Sequence, residues 1–128
     1  MNPKTRWYEK AGTFTGANAL VKLSDGKVEL CGSSDSPFGV GLTDSYNETT
    51  EKNILKVVIT PAQVKLVADG VIVKGDILYT SSNGKVIASD NPNISVEVWN
   101  VGKALSNAED GEIVDVLTNF NFKNETIT

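Results

Sequence analysis

The chain has 128 residues with 12 basic and 16 acidic side chains, a net charge of −4, one cysteine and no histidine. That length suits one domain, and the single cysteine, Cys31, excludes an internal disulfide. The missing histidine removes Ser-His-Asp and Cys-His nucleophilic systems and the commonest metal ligand, and the acidic balance argues against nucleic acid or a membrane surface as partner.

No apolar run approaches the ~20 residues of a membrane span. Residues 1–6 lead into no apolar segment, so a protein made in a reducing cytoplasm, with no secretory signal, is expected. The first ten residues hold Lys4, Arg6 and Lys10 against Glu9 alone, a charge of +2, while the other 118 carry −6. Trp7 and Tyr8 sit inside this basic stretch. It reads either as the first strand of a barrel or as an extended arm that docks on an acidic partner. On the second reading Lys4, Arg6, Trp7, Tyr8 and Lys10 are the contact residues.

From Gly12 onward the signals are those of strands: short β-branched runs punctuated by glycine. Asp25-Gly26 joins Ala19–Leu23 to Lys27–Cys31 as a tight hairpin, because both central residues of a type I′ turn need positive φ. Cys31 reads as a small buried hydrophobe. Ser33–Pro37 has loop composition, and the polar run Asp44–Asn53 reads as an exposed loop. Ile54–Ile59 is the most apolar run and is expected to be a central strand.

Thr60-Pro61-Ala62-Gln63 has the residues of a helix start, but Val64 and Leu66 alternate with Lys65, so the segment is read as extended. Gly70 and Gly75 have the glycine spacing of a P-loop; Asp76-Ile77 then stand where Lys-Ser/Thr should be, which excludes one. Asn83-Gly84 is a second hairpin dipeptide, joining Ile77–Thr80 to Lys85–Ala88.

Trp99 lies at a strand end on the polar Ser95–Glu97 face, and is a candidate subunit-interface anchor. Ala104–Asp110 has room for one helical turn. The carboxylates of Glu109, Asp110 and Glu112 lack calcium-loop spacing and read as a solvated turn. Glu112–Leu117 is the expected counterpart of Ile54–Ile59, and residues 119–128 read as a tail. No residue set with metal, cofactor or catalytic spacing appears, so none is assigned.

The sequence says much of this twice. Residues 12–28, GTFTGANALVKLSDGKV, align without a gap on residues 70–86, GVIVKGDILYTSSNGKV. The offset of 58 returns at Lys56–Thr60 over Val114–Thr118. The expectation is one all-β domain, a small compact barrel or sandwich built from two pseudo-repeats of about 50 residues, 11–60 and 69–118. Pairing their apolar faces into one barrel would also remove sheet edges.

This order of motifs resembles the capsid cement (head decoration) proteins of tailed bacteriophages. The matching features are the ALVKLSDGKV hairpin, FGVGLTDS, the Gly75-Asp76 step before the second hairpin, and a finish through Gly102, Ala104, Leu105, Ala108, Gly111, Glu112, Val114 and Val116. They cover most of residues 11–118; the insert Asp90–Asn100 and both ends depart from the pattern. The resemblance implies a non-enzymatic virion protein that sits on the outer surface of an expanded capsid. It would act as a homotrimer bridging major capsid proteins, with no cofactor, nucleic acid or membrane. A ligand- or carbohydrate-binding module of a phage head or tail is the alternative, with Trp7, Tyr8 and Trp99 as an aromatic platform.

Overall fold

The computed structural model describes residues 4–59, 61–94, 97–119 and 124–126. It is all-β. One antiparallel sheet contains β1 (Thr5–Glu9), β2 (Leu20–Ser24), β3 (Lys27–Leu30), β4 (Gly39–Asn47) and β5 (Lys52–Val58), in the order β1-β5-β4-β2-β3. The second contains β6 (Gln63–Val67), β7 (Ile77–Thr80), β8 (Val86–Ala88), β9 (Glu97–Ala104) and β10 (Ile113–Thr118), in the order β6-β10-β9-β7-β8. Each strand of the second sheet stands where the strand five earlier stands in the first. β11 (Asn124–Thr126) adds to β9.

The repetition extends to single hydrogen bonds. Each sheet curls until the chain just past its first strand reaches its last: Ala11 N–H donates to Val28 C=O at 2.9 Å, and Asp69 N–H to Val86 C=O at 2.8 Å. Both pairs lie 58 positions apart. The curling takes place within each half, whereas the sequence suggested one barrel made by joining the halves. Each repeat's strands are joined by short connections and find their partners locally.

Alternation along the strands sends successive residues to opposite faces. Val21, Leu55 and Val57 pack with Val28, Tyr8, Phe14 and Phe38 in one cluster. Leu20, Val40 and Val58, on the other face, join Leu66, Leu78, Val86, Val114 and Val116 of the second half. This shared cluster ties the two sheets into one body. Tyr79, Ile87 and Val98 form a third cluster on the far face of the second sheet, closed by Ile94 from the insert.

Several local expectations change. Residues 5–9 are a strand, not a separate arm, because their register places Tyr8 opposite Leu55 over the first core. The polar run Asp44–Asn53 is mostly strand: β4 extends to Asn47 and β5 begins at Lys52, so polar side chains face solvent on a paired backbone. Ala104–Asp110 has no helical turn; Leu105 N–H bonds Asp115 C=O and Ala108 exchanges bonds with Ile72. Residues 124–126 of the expected tail pair with β9, and Phe120 and Phe122 lie outside the described residues.

Both expected turns have the left-handed backbone: φ is 51° and 77° at Asp25 and Gly26, and 55° and 75° at Asn83 and Gly84. The first closes a two-residue hairpin, with Ser24 opposite Lys27. The second lies in a short 3-10 turn, Ser82–Gly84, and is followed by a register change: Ser81 N–H bonds Lys85 C=O and Thr80 pairs with Val86.

Candidate interaction surface

β1 is the end strand of its sheet, and among the described residues it forms a ladder with β5 alone. Ile59 N–H donates to Lys4 C=O and Lys10 N–H to Asn53 C=O. Even-numbered residues therefore turn their backbone groups toward β5, and Thr5 and Trp7 turn theirs outward, while the strand's far end meets β3 at Lys10 and Val28. Such an edge can accept a strand from another chain.

The five basic and aromatic residues of this segment divide. Lys4 and Arg6 are exposed, and Trp7 is 49% exposed. Tyr8 faces the other way and packs edge-on against Phe38, ring centroids 5.2 Å apart. Lys10 is drawn into the fold: its side chain is 7% exposed, its Nζ lies 2.8 Å from Asp44 and 2.7 Å from Phe14 C=O, and it stands over the Phe14 ring. Tyr8 and Lys10 hold β1 in place, while Lys4, Arg6 and Trp7 remain at the surface.

The surroundings of Trp7 follow from register. Trp7 lies opposite Lys56, which lies opposite Thr43. The preceding row on the same face, Thr5–Val58–Val40–Leu20, runs beneath the second half. Trp7 stands one row beyond that cover. An aromatic ring beside an open backbone edge, with Arg6 on the same strand, combines an anchor, a template for pairing and a charge.

Electrostatics stiffens this end of the molecule. Glu9 receives Lys27 at 2.8 Å and Lys52 at 2.9 Å, and their hydrogen bonds, Lys27 first, hold its carboxyl below the usual range. Burial alone would raise the Asp44 carboxyl; Lys10 and the N–H groups of Gly16 and Ala17 outweigh it and hold Asp44 low. The second half has a related brace, with Asn107 Oδ1 accepting from Lys74 N–H at 2.7 Å.

Trp99 is half-buried in the second sheet, with its indole N–H donating to Ser34 C=O at 3.1 Å. Its polar end is thus used within the chain, linking β9 to the β3–β4 loop, and Thr80 Oγ1 makes a parallel link to Ser33 C=O. Trp7, Tyr8 and Trp99 do not form one platform: the first two point to opposite faces of β1, and the third belongs to the other sheet.

Burial first, then the neighbouring Asp35 carboxylate, push the Cys31 thiol up to about 12, so it stays protonated and unreactive. Among the described residues, no group of three His, Cys, Asp or Glu side chains is placed to hold a metal ion. No helix among them is long and apolar enough to cross a membrane.

The fold resembles that of a phage head fiber base. The crystal structure of the head fiber gp8.5 N base of bacteriophage phi29 superposes with a TM-score of 0.66 over 91% of this chain and 94% of that one, at 18% identity. No protein-family model matches the sequence, and no curated protein is significantly similar to it. The likeness spans both sheets, whereas the cement-protein motifs seen in the sequence are turns and strand ends. Sequence reasoning missed the Trp7–Lys56–Thr43 row, because residues far apart in the chain meet only through strand register.

Proposed function

We propose that this chain is a non-enzymatic structural virion protein that binds the outer surface of an expanded bacteriophage capsid and stabilises it by bridging major capsid proteins. The observation that carries the reading is the fold-level likeness, over nearly the whole of both chains, to the base of a phage head fiber. The turn pattern resembling cement proteins supports the same direction. In this reading the chain is made in the bacterial host cytoplasm and acts as a homotrimer. Many modest contacts, repeated over a shell, hold it together through multivalency.

The capsid-contacting part is the open edge of β1, with Trp7 as anchor and Lys4 and Arg6 orienting the approach. Main-chain pairing along Thr5 and Trp7 supplies hydrogen bonds that depend little on sequence. The test is co-sedimentation with expanded, undecorated capsids of its phage. The protein should saturate them, and Trp7→Ala should weaken binding by about 2 kcal/mol if the ring is a hot spot. Saturation unchanged by Trp7→Ala would overturn the assignment of the edge. Failure to bind capsids, with a hit in a glycan screen, would replace the whole reading with a carbohydrate-binding module.

A further inference from the structure

The two halves carry the same face and treat it differently. In the first sheet, register lines up Leu20, Val40 and Val58 across β2, β4 and β5, and all three are buried. What covers this row includes the Asn83–Gly84 turn of the second half. Gly84 N–H donates to Cys31 C=O at 2.7 Å, and a Cβ added at Gly84 would stand 2.7 Å from Leu20 O.

Counted by strand register, which slips by one residue from the sequence offset, the corresponding row in the second sheet is Ile77, Lys103 and Leu117, while Leu78 and Val116 turn inward. Ser89 takes the place of Cys31, since Cys31 N–H bonds Leu20 C=O and Ser89 N–H bonds Ile77 C=O. This row is open: Ile77 is 47% and Leu117 50% exposed, and Lys103 and Ser89 are exposed too. A surface groove lies beside it, lined by Ile77, Asn100, Lys103 and Leu117. The turn equivalent to Asn83–Gly84 is equally unused. Asp25 and Gly26 have the same left-handed backbone, both are exposed, and nothing stands within 4 Å of a Cβ placed at Gly26.

Each chain therefore holds two turns with the same left-handed dipeptide backbone, one in a hairpin and one in a 3-10 turn, and two corresponding faces, with one turn seated on one face. We propose that the spare turn and the spare face join two copies of this chain: the Asp25–Gly26 turn of one molecule seats on the Ile77–Lys103–Leu117 row of the next. Gly26 N–H would donate to Ser89 C=O, as Gly84 does to Cys31. A second copy is the occupant because it presents this turn already formed, and because the turn's Asp25 and the row's Lys103 carry opposite charges. The contact is head-to-tail, so successive copies form a ring if the rotation closes and a filament if it does not. It follows from the internal repeat and does not depend on what the assembly binds.

The test mixes two full-length variants, Ser24→Cys and Lys103→Cys, both at exposed positions, and treats them with a short bis-maleimide. Buried Cys31 stays protonated and does not compete. A linked dimer should appear in the mixture and in neither variant alone. Sedimentation should show the unmodified chain as an oligomer and Leu117→Glu as a folded monomer by circular dichroism. No dimer in the mixture, or equal dimer in each variant alone, would overturn the proposal. So would an unmodified chain that stays monomeric at its highest attainable concentration. A monomer whose Tm falls on Leu117→Glu would assign the row to the chain's own segment after Asn119, and would also overturn it. An unmodified chain that binds capsids without self-associating refutes this contact alone; one that self-associates without binding capsids refutes only the capsid reading.

Discussion

Gly26 and Gly84 occupy equivalent turns with nearly the same backbone, φ 77° and 75°, in different surroundings. Substituting alanine at either position forces a side chain into the left-handed region, at a cost of about 1–2 kcal/mol. At Gly84 the new Cβ also meets the Leu20 backbone at 2.7 Å, and at Gly26 it meets nothing. We expect Gly84→Ala to cost a further 1–3 kcal/mol or so over Gly26→Ala, because backbone on both sides must shift. Equal denaturation midpoints for the two variants would contradict this. Asp44 is the second decisive residue. Its folded pKa is lowered from 3.8, so its stabilisation is complete above that value and is lost as pH falls through the lowered one. Urea unfolding followed downward from neutral pH should show the unmodified chain losing more stability below 3.8 than Asp44→Asn does. Asp44→Ala, which leaves the buried Lys10 ammonium unpaired, should cost about 3 kcal/mol at neutral pH.

At the scale of elements, β1 is the part whose role changes most between sequence and structure. A docking arm could be removed without harm to the body. A strand that seats Tyr8 over the first core and carries Lys10 to Asp44 could not. Deleting residues 2–10 should therefore abolish the folded circular dichroism spectrum, removing at least 5 kcal/mol or so, most of the stability of a domain this size. A folded truncation would return the segment to the status of an arm. Trp7→Ala should leave stability within about 1 kcal/mol, since the half-exposed ring faces away from the first core. Structural and contact roles thus alternate residue by residue along one strand.

At the scale of the molecule, the halves share topology but not chemistry. Val40 is buried in the shared core, and its counterpart Lys103 is exposed. Copying the second half onto the first by Val40→Lys should cost at least about 3 kcal/mol, because the ammonium would be buried without a partner. The reverse copy, Lys103→Val, should change stability by less than about 0.5 kcal/mol, as surface substitutions do. Thermal unfolding of the two variants measures this asymmetry directly. One transition is expected for the unmodified chain, since the shared cluster buries residues of both halves together and couples the first core to the second sheet.

The repeat, the all-β class and both positive-φ turns were legible in the sequence, because each is written in local chemistry: glycine after Asp or Asn, alternating β-branched residues, a fixed offset of 58. The strand character of Gln63–Val67 was legible for the same reason, alternation prevailing over a helix-start signature. What the tertiary structure decided is everything that depends on which face is covered. It turned Lys10 inward to Asp44, gave Trp99 an acceptor 65 positions away, and made one copy of a repeated row core and the other surface. Burial is a property of pairs of distant segments, and strand register, not composition, selects those pairs. Local sequence therefore determined most of each half's strands and turns, the polar ends of β4 and β5 excepted, and only the packing of one half on the other determined which residues stay at the surface.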